Sequence, residues 1–212
     1  MTIVKTMKER VMQASRGKKL EHFCSLYKGG TILDVGVSSH ARIQRENLFL
    51  EKLRYSPELY TGLGVEDLTE IAAAHPGKHF IRYGGGRFPF KDKEFDWAPS
   101  NAVIEQVGDD SAQLLFINDM LRVAKQVFFA TPNKFFHVES HTNVVLLHRL
   151  PGRVFYQWRD RRKKYWDENN IRLLGYGKLC SLMKNSNAET YRIYKNHMFG
   201  WPMMFTVTCT AA

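Results

Sequence analysis

Cysteine is scarce in this 212-residue chain, and its three copies are not paired by spacing. Cys24, Cys180 and Cys209 lie far apart, and no Cys-x-x-Cys motif occurs. This pattern excludes a disulfide-stabilised scaffold and gives no support to a zinc site or a dithiol redox site. We expect the three thiols to be reduced and mostly buried.

Long hydrophobic runs are also lacking. No apolar stretch approaches the roughly 20 residues that a membrane-spanning helix needs. Residues 1–19 mix Lys, Arg and Glu without the apolar centre of a secretory signal. Internal repeats, low-complexity segments and linkers are absent too. These absences predict a cytoplasmic protein with one domain over residues 1–212, a length that can bury a large core.

Acidic residues are in deficit, with 21 Asp and Glu against 31 Lys and Arg, which gives a net charge of +10. Such an excess favours nucleic acids or anionic membrane surfaces as partners. Five positive charges fall within Arg159–Trp166, a run that also contains two aromatic residues. This run predicts phosphate pairing together with stacking on a base or insertion at a lipid interface. A solvated helix face explains the same charges, and we favour that interpretation because charge runs usually mean only that.

Short apolar runs alternate with helical spacing along the first two thirds of the chain. Helices are predicted at 5–27, 42–54, 68–74 and 110–124. Strands are predicted at 31–35, 60–65, 78–83, 95–100 and 126–130. Alternation of this kind predicts parallel βαβ units.

The alternation of strands and helices ends beyond Pro132. Residues 153–185 have a helical and basic pattern, and we expect the wider segment 133–185 to cover the carboxyl edge of the sheet. Residues 188–196 and 203–210 then alternate in side-chain character with no helix between them. Such a pair predicts an antiparallel hairpin at the sheet edge.

Acidic residues stand at the ends of two of the predicted strands. Asp34 and Gly36 close the first strand, and Glu66 and Asp67 follow the second. Because open α/β sheets hold their ligands at the carboxyl ends of central strands, this placement predicts a site for a nucleotide-like ligand. Carboxylates also cap helices and form turns, so a purely structural role for these side chains stays open.

Several segments, in this order and spacing, support a resemblance to a known family. They are Leu33–Gly36, Gly64–Glu66, Phe88–Asp96, Ser100–Glu105, and Met120–Ala124 together with Phe128–Asn133. Together they resemble the motifs of class I S-adenosylmethionine-dependent methyltransferases, in particular the type 11 group. The resemblance implies a Rossmann-like, doubly wound α/β fold. It implies a mostly parallel seven-stranded sheet with helices on both faces and a C-terminal antiparallel hairpin.

The same resemblance implies S-adenosylmethionine as cofactor and methyl transfer to a small-molecule or lipid-like acceptor. The cofactor-binding residues that it implies are Asp34, Gly36, Ser38, Glu66, Asp67, Gly85, Ser100 and Asn101. Asp34 and the turn after it would receive the methionine part, and Glu66 would take the ribose hydroxyls. Carboxylates suit such donors because charge-assisted hydrogen bonds are strong.

Three positions depart from the family pattern. Ser38 and His40 stand where the second and third glycines of the turn belong, and Gln106 stands where relatives often have histidine. An amide cannot act as a base near neutral pH. These residues favour an alternative hypothesis, a catalytically inactive methyltransferase-like module that binds or regulates. A protein that binds or modifies nucleic acid through Arg159–Trp166 is the other alternative.

The segment 133–185 is expected to cap the acceptor site of a single methyltransferase-like domain. Within it, His137, Glu139 and His141 alternate, which would place three potential metal ligands on one side of an extended strand. We favour a polar rim of the acceptor pocket, without a metal, because short motifs of this kind often mislead. Glu139 and His141 are the candidate catalytic residues, as a base or as groups that orient the acceptor.

Overall fold

The computed structural model describes residues 2–39, 47–136, 171–198 and 200–211, with side chains from residue 13 onward. The helices of this part are α1 (Thr2–Leu26), α2 (Leu48–Lys52), α3 (Thr69–Ala74), α4 (Asp110–Val123) and α5 (Tyr176–Asn185). Single 3₁₀ turns occur at Pro57–Leu59 and Ile104–Gln106. The strands are β1 (Ile32–Val35), β2 (Tyr60–Gly64), β3 (His79–Arg82), β4 (Phe95–Asn101), β5 (Ala124–Pro132), β6 (Ala188–Met198) and β7 (Trp201–Ala211).

The strands form a seven-stranded sheet in the order β3-β2-β1-β4-β5-β7-β6. Strands β1 to β5 run parallel, whereas β7 is antiparallel to both β5 and β6. The prediction of a mostly parallel sheet with a C-terminal antiparallel hairpin is therefore confirmed. From β1 the chain adds β2 and β3 on one side and then β4 and β5 on the other, so the carboxyl ends of β1 and β4 lie next to each other at a switch point.

Helices cover both faces of the sheet, as predicted. One core packs α4 and α5 against residues such as Leu33, Val35 and Phe129. The other packs α1, α2 and α3 against residues such as Ile32 and Phe128. Successive side chains of a strand point to opposite faces, so the buried apolar residues of β1 and β5 supply both cores at once.

Two segment predictions need correction. Strand β5 extends over Ala124–Pro132, longer than the predicted 126–130, because it pairs with both β4 and β7. Residues 171–175 were predicted to be helical but precede α5 in non-helical form, since Leu174 bridges to Asn133 beside the sheet. The remainder of that predicted helix, 153–170, lies outside the described residues, as do residues 42–46 of the predicted helix 42–54.

The expectation that the cysteines are mostly buried is wrong. All three are free thiols, but Cys24 is exposed, Cys180 is half-buried and only Cys209 is buried. Cys24 follows Phe23, which packs into the core. Neighbouring residues of a helix point about 100° apart, so Cys24 faces away from that core.

Candidate functional site

A cleft of 1340 Å³ opens at the carboxyl ends of the central strands. One group of lining residues, here called the β1–β3 wall, follows strands β1, β2 and β3. It comprises Gly36, Val37, Ser38, Gly64, Val65, Glu66, Tyr83 and Gly85. A second group, the α1–β7 wall, comes from α1, the ends of β4 and β5, and the start of β7. It comprises Ser15, Arg16, Lys19, Asn101, Pro132, Asn133, Phe136, Met203 and Met204.

The turn after β1 is held close to the neighbouring strand. The backbone N–H groups of Gly36 and Val37 both donate to the carbonyl oxygen of Leu63, at 2.8 and 3.0 Å. Gly36 has φ +96°, and a Cβ there would lie 2.2 Å from Cγ2 of Val103. A glycine is therefore required at the first position of this turn.

Asn47 holds the next residue of the turn. The N–H of Ser38 donates to Oδ1 of Asn47 at 2.9 Å, and Nδ2 of Asn47 donates back to the carbonyl of Ser38 at 2.9 Å. Because this pair fixes the backbone without a glycine, the turn keeps a defined path at Ser38. His40 lies outside the described residues.

Glu66 lines the cleft just beyond the end of β2, where the sequence predicted it. Its Oε2 accepts from the N–H of Ser39 at 2.9 Å, from Oγ of Ser39 at 2.6 Å and from Oγ of Ser38 at 3.2 Å. These donors tie the turn after β1 to the carboxylate after β2. The carboxylate is thus oriented before any ligand arrives.

Asp34 takes a different position from Glu66. It is 5% exposed, is not among the residues that line the cleft, and accepts a hydrogen bond of 2.8 Å from the hydroxyl of Tyr60. Burial raises the pKa of this carboxyl to about 7, although Tyr60, the backbone of Leu50 and the charge of Lys78 oppose the rise. Side chains alternate along β1, so Asp34 shares the face of Ile32, toward α2. Its contact with a cofactor stays a prediction.

Two other predicted residues also lie off the lining of the cleft. Asp67 is exposed and accepts from the N–H and hydroxyl of Thr69, at 3.0 and 2.6 Å, which holds the pKa of its carboxyl below its usual range. Ser100 is buried and donates to the carbonyl of Val35 at 3.0 Å. Asp67 thus stabilises the start of α3, and Ser100 joins β4 to β1.

The other predicted cofactor residues all line the cleft. These are Gly36, Ser38, Glu66, Gly85 and Asn101. Gly85 has φ +87° and no atom within 4 Å of a Cβ placed there, so the loop after β3 leaves open space beside the cleft. Gln106 also lines it, and its amide Nε2 donates to the carbonyl of Ala102 at 2.8 Å.

Two basic residues of α1, Arg16 and Lys19, also line the cleft, and the family motifs in the sequence did not predict them. Lys19 is 8% exposed, and its Nζ donates to Oδ1 of Asn101 at 2.8 Å. Arg16 lies one turn earlier and lines the cleft as well. The signal in the sequence is a charged residue on the apolar side of a helix, since Lys19 precedes the buried Phe23 by four positions.

The candidate catalytic residues Glu139 and His141 lie outside the described residues, together with the rest of the His137–His141 motif and the basic run Arg159–Trp166. Their roles stay predictions. The described parts of the predicted cap, 133–136 and 171–185, contribute Asn133, Phe136 and Leu173 to the cleft. Within the described ranges no cluster of three or more His, Cys, Asp or Glu side chains is arranged to hold a metal ion. Across the same residues, every helix is too short or too polar to span a bilayer.

The fold is similar to solved structures at low sequence identity. A Thermotoga maritima protein, described as a SAM-dependent methyltransferase and possible histamine N-methyltransferase, has a TM-score of 0.62 and 16% identity over 95% of this chain and 92% of its own. A SAM-dependent methyltransferase from Methanosarcina mazei has a TM-score of 0.57 and 18% identity over 87% and 93%. The N-terminal domain of EvdMO1, solved with SAH bound, has a TM-score of 0.54 and 12% identity over 93% and 81%.

In the sequence comparisons, no protein-family model and no curated protein matches the chain. The assignment therefore comes from architecture, namely the strand order, the antiparallel β7 and the cleft at the carboxyl edge. On these grounds the chain has the fold of the class I S-adenosylmethionine-dependent methyltransferases.

Proposed function

We propose that this protein is an S-adenosylmethionine-dependent methyltransferase, similar to the type 11 group, that acts on a small-molecule or lipid-like acceptor. The observation that carries the proposal is Glu66. Its carboxylate lines the cleft at the end of β2 and is oriented by Ser38 and Ser39. The structural neighbours support the cofactor class, since one of them was solved with SAH bound.

The residues of the β1–β3 wall fit such a cofactor. A carboxylate accepts hydrogen bonds from the two hydroxyls of a ribose, and Glu66 has the chemistry for that task. The open space at Gly85 suits a flat base beside the sheet edge. The cleft of 1340 Å³ exceeds the roughly 300–1,000 Å³ of a single small-molecule site, which leaves room for an acceptor beside the cofactor.

When bound, S-adenosylmethionine would supply a methyl group already activated on a sulfonium. The work left to the chain is to align the acceptor and to exclude water. Pro132, Phe136, Met203 and Met204 give the α1–β7 wall an apolar surface for an acceptor. Glu139 or His141 would take a proton where the acceptor carries one. The single domain over residues 1–212, the cap at 133–185 and a cytoplasmic location belong to the same proposal.

Isothermal titration of the purified protein with S-adenosylmethionine and S-adenosylhomocysteine tests this proposal. We expect both to bind the wild type, and Glu66→Gln to weaken binding about tenfold or more, because a charged acceptor is replaced by a neutral one. Glu70→Gln on the exposed side of α3 removes the same charge away from the cleft and should bind normally. If the wild type binds neither S-adenosylmethionine nor S-adenosylhomocysteine, the enzymatic function is rejected.

One observation favours a second candidate, a methyltransferase-like module without catalysis. The N–H groups of Gly36, Val37, Ser38 and Ser39 all donate to acceptors within the protein. A turn whose donors are engaged in this way has fewer groups to offer a ligand. This candidate predicts weak cofactor binding and no methyl transfer to any acceptor. Turnover detected by release of S-adenosylhomocysteine would exclude it.

A further inference from the structure

Lys19 is a buried cation on the α1–β7 wall. Its side chain is 8% exposed and lines the cleft, and its one described hydrogen bond goes to a neutral group, Oδ1 of Asn101 at 2.8 Å. Removing a charge from water is costly unless an opposite charge or several hydrogen bonds compensate it. The carboxylate of Glu105 supplies part of this compensation by its charge, while the hydrogen bond of Nζ goes to the neutral Asn101. A second anionic group, from a ligand in the cleft, would complete it.

The charged groups around Lys19 come from two elements. Arg16 repels it from the preceding turn of α1, and Glu105 attracts it from the 3₁₀ turn after β4. Glu105 is itself completely buried and accepts from Oγ1 of Thr131 at 3.1 Å. Burial lowers the pKa of Lys19 to about 8, with Glu105 opposing the change and Arg16 adding to it. A bound anion would reverse this effect and raise the pKa of Lys19.

Apolar side chains continue the same wall. Phe136, Met203 and Met204 form a small buried cluster that also lines the cleft. Oγ of Ser15 lies 3.1 Å from the sulfur of Met204, which joins this cluster to α1 one turn before Lys19. Methionine side chains adapt to ligands of varied shape. The wall thus offers a cationic point beside an apolar surface.

We propose that the methyl acceptor is an amphipathic carboxylate. Its anionic group binds Lys19, and its apolar body packs on Phe136, Met203 and Met204. The identification of this ligand as the acceptor rests on the proposed methyltransferase function, whereas the carboxylate site itself does not. The cofactor also carries a carboxylate, so the experiment must separate the two sources.

The test uses phenylbutyrate and phenylbutanol, which share an apolar body and differ in the head group. Full-length protein with methyl-labelled methionine is titrated with each probe, with and without saturating S-adenosylhomocysteine, and the NMR signals of Met203 and Met204 report occupancy. We expect phenylbutyrate to bind more tightly than phenylbutanol in both conditions. Lys19→Gln should weaken phenylbutyrate about tenfold and leave phenylbutanol unchanged.

Two variants serve as controls. Lys19→Arg keeps the charge and should retain phenylbutyrate binding within about threefold, because Arg also binds carboxylates. Lys28→Gln removes the same charge from an exposed position near the end of α1 and should bind like the wild type. In the wild type alone, carbon-labelled lysine should report that phenylbutyrate raises the pKa of Lys19. This pKa measurement tests whether Lys19 binds the carboxylate even if Lys19→Gln fails to fold.

Four results would overturn the carboxylate-acceptor proposal. If phenylbutyrate binds no more tightly than phenylbutanol, the site has no preference for a carboxylate. An unchanged phenylbutyrate affinity in Lys19→Gln, or a pKa of Lys19 that phenylbutyrate does not raise, would show that Lys19 does not bind the carboxylate. Displacement of phenylbutyrate by S-adenosylhomocysteine, with loss of S-adenosylhomocysteine binding in Lys19→Gln, would assign Lys19 to the cofactor. Phenylbutyrate binding through Lys19 without any cofactor binding would instead reject the methyltransferase function and keep the carboxylate site.

Discussion

The hydroxyl of Tyr60 donates a 2.8 Å hydrogen bond to Oδ2 of Asp34, and both side chains are buried between β1, β2 and α2. This contact directs the acidic residue of the first motif away from the cleft lining. Lys78 extends over the rings of Tyr55 and Tyr60, at 4.9 and 5.4 Å from their centroids. The cluster therefore joins two central strands beneath the ligand site.

Asp34 should make stability fall as the pH rises. Burial raises the pKa of its carboxyl from 3.8 to about 7, so the folded state holds this proton more tightly than the unfolded chain. The stability linked to that proton is complete below about pH 4 and is lost as the pH rises through about 7. Relative to Asp34→Asn, the free energy of unfolding of the wild type should fall by at most about 1.4 kcal/mol per pH unit. Urea denaturation at about pH 5 and pH 8 measures the difference.

The control for this prediction is Asp67→Asn. Asp67 is exposed, and its hydrogen bonds with Thr69 hold the pKa of its carboxyl below the usual range. Its contribution is therefore present above the ordinary carboxyl pKa and is lost only in more acidic solution. The difference between wild type and Asp67→Asn should stay constant from pH 5 to pH 8. Equal slopes for Asp34→Asn and the wild type would contradict the assignment to Asp34.

Ser39 should contribute to cofactor affinity through Glu66. Its hydroxyl lies 2.6 Å from Oε2 of Glu66, and Ser39→Ala removes this donor while the backbone N–H remains. We expect S-adenosylhomocysteine to bind roughly 3- to 10-fold more weakly, since one charge-assisted hydrogen bond is lost. Isothermal titration of the single variants and of the double variant with Glu66→Ala forms a cycle. Equal effects of Ser39→Ala with and without Glu66 would show that the serine acts independently.

Hydrophobic periodicity predicts the strands of this sheet, whereas long-range packing decides where their polar side chains point. Strand positions were predictable because buried parallel strands are short, mainly apolar runs bounded by turn residues, as in Ile32–Val35. The orientation of Asp34 was less accessible, because it depends on the long-range partner Tyr60. Lys19 escaped the motif comparison since its role depends on Asn101, which is 82 residues away in the chain. Family motifs locate strand ends, whereas side-chain partners across the sheet determine which group reaches the cleft.

Gly36→Ala should destabilise the fold by about 2–4 kcal/mol. The left-handed conformation at φ +96° costs an alanine about 1–2 kcal/mol, and the new Cβ would overlap Cγ2 of Val103. The double variant with Val103→Ala removes the overlap, so it should regain the stability lost to that overlap but not the stability lost to the left-handed conformation. Gly84→Ala is the control, because a Cβ there meets nothing within 4 Å and the backbone is not left-handed. Thermal unfolding of the four proteins measures these effects, and a stable Gly36→Ala would show that the turn can move.

Arg122 should control the loop between β3 and β4 that borders the cleft. Its guanidinium donates to the carbonyls of Phe88 and Phe90, at 2.9 and 2.7 Å, and its Nε donates to Asp119 at 2.6 Å. Asp119 also accepts from the N–H of Phe88, so one ion pair on α4 holds both sides of the loop backbone. Arg122→Gln should therefore release residues 87–93 and cost about 2–3 kcal/mol of stability.

Hydrogen exchange distinguishes this loop effect from a general loss of stability. In Arg122→Gln, amides of residues 87–93 should exchange much faster, while those of β1 and β5 change only with the global free energy of unfolding. Lys125→Gln removes a nearby positive charge whose ion pair with Asp96 is largely exposed, so it should cost less than about 1 kcal/mol and leave the loop protected. Uniform acceleration across the sheet would mean that Arg122 stabilises the whole fold rather than this loop. A selective effect would establish that the cleft border can open independently of the sheet, because the Arg122–Asp119 pair holds the loop while the strands are held by their own ladder.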